Sequence, residues 1–142
     1  MTVIVADRKT MCGDTMCVYQ EAVAGTHCKV HRVRDMLVGY AGDMDSGVAF
    51  LEWCKRGMGS RGKPQDLSLN FTGLVLNETG IYEYTYFLIP MCIERDFWAI
   101  GSGAQAALGA MHMGATPWEA VEVACAIAPD CAVPITVENL AA

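Results

Sequence analysis

The sequence is poor in charge and lacks the usual marks of a membrane, metal or nucleic-acid protein. Charged residues make up 18% of its 142 positions, and acids exceed bases by a formal net charge of -6. The richest basic stretch, residues 29–34, reads as a strand with one polar face, so nucleic acid is not expected as a partner. No run of 18 apolar residues occurs, which argues against a transmembrane helix and a membrane partner. Asp7, Arg8 and Lys9 interrupt the opening stretch too early for a signal peptide. Seven cysteines are an odd number, and none are spaced C-x-x-C. That excludes a disulfide framework or zinc ribbon and suggests reduced thiols in a cytoplasmic protein. Cys12, Cys17 and Cys28 read as small core residues. His27, His31 and His112 fit no ligand spacing, so neither metal nor cofactor is expected. The stretch Gly59–Lys63 lacks the G-x-x-x-x-G-K-[ST] pattern and no strand feeds it, which excludes a phosphate loop.

What the chain has in plenty is apolar residues, at 53%. Its length suits one domain over residues 1–142 with a real core. So much apolar surface on a small chain points to self-association.

Residues 2–6 (TVIVA) are an apolar run of strand length. Asp7-Arg8-Lys9 reads as a turn, and residues 10–17 as the returning strand, with Gly13-Asp14 in its middle. Residues 28–33 and 36–40 predict two further strands with a turn between Asp35 and Met36. Residues 42–46 read as a loop ending in a helix N-cap. Val48, Phe50, Leu51 and Trp53-Cys54 give a one-faced helix stopped by Gly57. The Gly/Pro-rich residues 57–65 form a surface loop. Residues 71–76 and 81–88 predict a second hairpin around residues 77–80, and residues 97–100 another strand. An Ala-rich helix covers residues 104–113, with Met111, Met113 and Trp118 as core or helix-interface residues. Thr116-Pro117-Trp118-Glu119 is a capping box with proline at the first helical position, opening a helix to about Ile127. Residues 134–137 suggest a final edge strand. Hairpins alternating with helix groups imply antiparallel sheets with helices outside.

Thr2, directly behind Met1, raises a chemical possibility. A hydroxyl is a weak nucleophile without a base in reach. Removal of Met1 would place a free α-amine, with an ordinary pKa of about 7.7–8.0, on the same residue as the hydroxyl. A nearby lysine oriented by a buried aspartate can depress the relevant pKa values, and glycine-turn N–H groups can hold an oxyanion. The chain offers Asp14 on the second strand, Lys29 at the start of the next, and Gly42 where an apolar strand meets a loop. Ser102 lies between two glycines at a strand-to-helix turn, where it could equally serve as a helix N-cap.

The ordered set T-V-I-V (2–5), C-G-D-T (12–15), C-K-V-H-R-V (28–33), V-G-Y-A-G-D (38–43), A-I-G-S-G (99–103) and A-P-D (128–130) spans nearly the whole chain. It resembles the proteasome β-subunit and HslV family of N-terminal-nucleophile (Ntn) hydrolases. The resemblance implies an α+β fold, a four-layer αββα sandwich of two antiparallel sheets flanked by helices. It implies peptide-bond hydrolysis inside a homo-oligomeric ring, with an ATPase unfoldase as a partner. It assigns Thr2 as nucleophile with its freed amine as base. Asp14 becomes the partner that orients Lys29, Lys29 lowers the nucleophile's proton affinity, and Gly42 donates an oxyanion N–H. Ser102 and Asp130 support the amine and the proton relay. The chain departs from the family pattern after Asp130, where Cys131-Ala132-Val133-Pro134 replaces the usual Ser or Cys and glycine pair. The segment between the first helix and Phe71 is also short. Two alternatives stand beside a peptidase: a catalytically silent ring or binding subunit, and an Ntn amidohydrolase acting on small amides.

Overall fold

A computed structural model of the protein describes residues 2–19, 22–128 and 134–140. Strands β1 (Val3–Asp7) and β2 (Thr10–Gly13) form the opening hairpin. Asp7 closes its turn, because its Oδ1 accepts the N–H groups of Lys9 and Thr10, both at 2.8 Å. The expected strand over residues 10–17 does not run through. It stops at Gly13, and β3 (Met16–Tyr19) leaves to pair with β4 (Ala22–Thr26) in a separate two-stranded sheet. Asp14 causes the break: its side chain takes backbone donors on both sides of the crossing. β4 carries no sequence signal, because all five of its residues are exposed and no burial pattern marks it.

Strands β5 (Val30–Val33) and β6 (Met36–Gly42) meet at a turn over Arg34-Asp35, one position before the expected one. Strands β7 (Phe71–Asn77) and β8 (Gly80–Tyr84) form the second hairpin. β8 ends at Tyr84 instead of reaching Leu88, since a turn closed by Leu88 N–H on the Thr85 carbonyl (2.8 Å) intervenes. β9 (Met91–Ile93) then returns along it. With β10 (Phe97–Gly101) and β11 (Thr136–Asn139), the larger sheets run β10-β1-β2-β11 and β5-β6-β7-β8-β9, all pairs antiparallel. β11 lies at an edge as expected, but it runs two residues later than the expected 134–137 and leaves Pro134 outside it.

Helix α1 (Met44–Lys55) starts at Asp43, whose side chain accepts Ser46 N–H. Helices α2 (Ala104–His112) and α3 (Pro117–Ile127) follow β10, and α3 carries the expected capping box of Thr116 and Glu119. Among the described residues, no helix is long and apolar enough to cross a membrane.

Buried side chains sort into distinct clusters. Phe50, Leu51, Trp53 and Cys54 of α1 pack with Val38, Tyr40, Phe71 and Val75 of β6 and β7. Ala107, Met111, Ala120, Val121 and Ala124 of α2 and α3 pack with Val3 and Val5 of β1. Ile4, Ala6 and Met11 meet Leu37, Leu74, Leu76 and Ile81, so the two large sheets face each other across this third cluster. The alternation of β1 explains its place: Val3 and Val5 point to the helices, Ile4 and Ala6 to the other sheet. Met111 belongs to the core as expected, whereas Met113 is 85% exposed and Trp118 43%. Both flank the turn between α2 and α3 and belong to none of the three clusters among the described residues.

Candidate active site

Thr2 enters β1 at the end of the first large sheet, and its side chain is buried. Its carbonyl accepts Gly103 N–H at 3.4 Å. Gly101 passes close beneath it with φ +96°, and a Cβ there would stand 1.9 Å from the Thr2 carbonyl oxygen. Only glycine combines that backbone conformation with that approach. Ser102 follows in the turn into α2 and is exposed; among the described residues it makes no hydrogen bond to Thr2. It is not the helix cap either, since α2 is capped by Gly103 without a side-chain bond.

Asp14 is fully buried. Its Oδ1 accepts Val3 N–H at 3.0 Å and its Oδ2 accepts Met16 N–H at 3.1 Å. The Lys29 ammonium lies 3.3 and 3.4 Å from the two carboxylate oxygens. Lys29 comes from the segment that leads into β5 and is 5% exposed. Its Nζ also donates to Thr2 Oγ1 at 2.7 Å. The chain therefore brings a hydroxyl, an ammonium and a carboxylate together in one buried spot. A buried ion pair with backbone donors on its carboxylate holds the ammonium against the hydroxyl, where it favours an alkoxide.

A cleft of about 340 Å³ opens beside these groups, lined by Thr2, Lys29 and Gly42 among others. Gly42 ends β6 with φ +93°, and its Cα hydrogens face the Asn70 carbonyl so closely that a Cβ would lie 2.1 Å from that oxygen. The structure thus brings together Thr2, Asp14, Lys29 and Gly42, and places Ser102 beside the turn that holds Thr2. Asp130 lies outside the described residues.

Sequence reasoning missed much of the cleft wall. Met16, Cys17, His27, Tyr40, Asp43 and Asp45 also line it. Cys17 is half-buried in the cleft and Cys28 is exposed, so neither is a core residue; Cys12 is, as expected. The break at Asp14 turns β3 out of the sheet and brings Met16 and Cys17 round to Thr2. The one available signal for His27 was its position two residues before Lys29. Its Nε2 and the Tyr40 hydroxyl are 2.7 Å apart, and His31 stacks on the same ring at 11°. Burial, with the Cys28 and Cys17 thiols nearby, pushes the Tyr40 phenol up to about 12. Burial also lowers His31 from its ordinary value. Among the described residues, no group of three His, Cys, Asp or Glu side chains is placed to hold a metal ion.

This fold is that of solved HslV and BPH structures. The chain superposes on eukaryotic HslV from Trypanosoma brucei with a TM-score of 0.79 and 22% identity, covering 97% of this chain and 98% of that one. It superposes on Thiobacillus denitrificans BPH in complex with epoxomicin with a TM-score of 0.74 and 19% identity, over 100% of both chains. A second structure of that BPH gives 0.69 at 18% identity, over 99% of this chain and 98% of the other. At sequence level no family model and no curated protein matches. The likeness is one of fold, carried over essentially the full length of the chain.

Proposed function

We propose that the protein is an N-terminal-threonine peptidase, with Thr2 freed by removal of Met1. The observation that carries this reading is the Lys29 ammonium, held by buried Asp14 and donating to Thr2 Oγ1 at 2.7 Å. The freed α-amine accepts the hydroxyl proton as Thr2 Oγ1 attacks the substrate carbonyl carbon. The tetrahedral oxyanion is held by backbone N–H donors, Gly42 among them. Collapse breaks the C–N bond, the amine returns its proton to the departing amine, and an ester to Thr2 remains. Water, deprotonated by the same amine, hydrolyses that ester and restores the hydroxyl. Lys29 lowers the proton affinity of Oγ1. Ser102 and Asp130 support the amine in this reading.

The fold is proposed to be the four-layer αββα sandwich, supported by apolar clusters on the outer face of each large sheet and between them. Leu69, Phe87, Ile89 and Met113 are at least 67% exposed, which supports burial against other copies in a ring that encloses the sites. An ATPase unfoldase is the partner such a chamber would need. Cys12, Cys17, Cys28, Cys54 and Cys92 are free thiols, which supports a reducing cytoplasm.

An epoxyketone tests the chemistry, because it reacts with both a threonine hydroxyl and a free α-amine. Intact mass should show loss of Met1 and one adduct per chain, absent in Thr2→Ala. A retained Met1 and no adduct would instead establish the catalytically silent subunit, which the changed residues after Asp130 favour. Adduct formation with turnover of small amides alone would establish the amidohydrolase.

A further inference from the structure

The cleft beside Thr2 has a chemistry of its own. Met16, Cys17 and Met44 give it sulfur-bearing, polarisable walls, and Tyr40 with His27 closes part of its lining. Two carboxylates, Asp43 and Asp45, complete it at the head of α1. Among the described residues the one lysine lining the cleft is Lys29, whose charge Asp14 matches. Asp43 and Asp45 therefore leave the cleft negative.

Resting on the reading of Thr2 as nucleophile, we infer that this cleft selects a long cationic side chain, lysine or arginine, on the acyl side of the scissile bond. The volume of about 340 Å³ accommodates such a side chain. Its methylene stem packs on the thioethers while its charged end reaches the carboxylates, which is how long cations divide themselves between apolar and polar surroundings. Asp43 is fixed in advance: its Oδ2 accepts Ser46 N–H at 2.9 Å and Ser46 Oγ–H at 2.7 Å. No rotamer freedom is lost there when a cation arrives. An acidic side chain would meet two like charges, and an aliphatic one would strip water from carboxylates without replacing it. The positive end of the α1 dipole offsets part of this field, and Asp45 is exposed, so the preference is of moderate size.

Fluorogenic peptides that differ only in the residue before the cleaved bond test this. Arginine should exceed leucine in kcat/KM by about tenfold and glutamate by more, and the preference should shrink as salt rises. In Asp43→Asn/Asp45→Asn the arginine-to-leucine ratio should fall about fivefold; asparagine is an equally good N-cap, so α1 keeps its start. Asp45→Asn alone should give a smaller fall in the same direction, and serves if the double variant does not fold. Epoxyketone labelling of Thr2 in the same sample keeps two failures apart. An adduct with leucine or glutamate preferred, or a ratio unmoved by the substitutions, overturns the specificity alone. No adduct and no turnover overturn the nucleophile, and the specificity with it.

Discussion

Replacing Lys29 by methionine separates what the lysine does for the fold from what it does for the chemistry. Methionine fills a similar volume but leaves the Asp14 carboxylate, fully buried, with backbone donors and no cation. Removing one partner of a buried ion pair costs about 3–5 kcal/mol. For a chain of this length each kcal/mol is worth about 4 °C, so Tm should fall by about 12–20 °C. Removing the ammonium that touches Thr2 Oγ1 at 2.7 Å should cost about 10²–10³ in kcat/KM, the scale of one transition-state donor. Adding Asp14→Asn removes the stranded charge. The double variant should lose less stability than the two single ones together, by about 1–3 kcal/mol, yet regain no turnover. Circular-dichroism melts and peptide hydrolysis read the two quantities separately. Turnover by Lys29→Met at the wild-type rate would refute the mechanism. A coupling below about 0.5 kcal/mol would refute the pairing.

Other outcomes follow from the same geometry. Gly101→Ala puts a Cβ against the Thr2 carbonyl in a backbone conformation, φ +96°, that alanine resists. It should cost at least about 1–3 kcal/mol and abolish epoxyketone labelling, and full labelling would show that Thr2 is held some other way. Burial pushes the Cys12 and Cys54 thiols up to about 12. Iodoacetamide at pH 8 should therefore label exposed Cys28 and Cys92 in the native protein and reach Cys12 and Cys54 only after denaturation, as peptide mapping would show. Thr116→Ala should cost about 1 kcal/mol by loss of the N-cap. Backbone and side-chain bonds from Thr116 hold the Glu119 carboxyl below its ordinary value. The stability from that bonding is complete above the ordinary glutamate range and lost as pH falls through the lower folded value. The Tm gap between wild type and Glu119→Gln should accordingly narrow in acid, and a gap independent of pH would count against the carboxylate half of the capping box.

The parts legible in the sequence were those fixed by local chemistry. The Asp7 turn, the Asn77–Gly80 turn and the Thr116–Glu119 box each close on residues within three or four positions, so their signals lie in adjacent letters. β1 was legible because four consecutive apolar residues, Val3 to Ala6, serve two cores at once. Thr2, Asp14, Lys29 and Gly42 were named together because their residue types and order matched a known plan, and the fold brings them together. What stayed hidden depended on a single event that no local pattern records. Asp14 spends its carboxylate on Val3, Met16 and Lys29 at once, and in doing so ends β2 and throws β3 out of the sheet. The same displacement exposes β4, turns Cys17 from a supposed core residue into cleft wall, and places Met16 in the same cleft lining as Asp43 and Asp45. One buried carboxylate thus orients the candidate catalytic lysine and shapes the neighbouring cleft. Reactivity and specificity should consequently fail together when Asp14 is lost, whereas the substitutions at Asp43 and Asp45 should move specificity first.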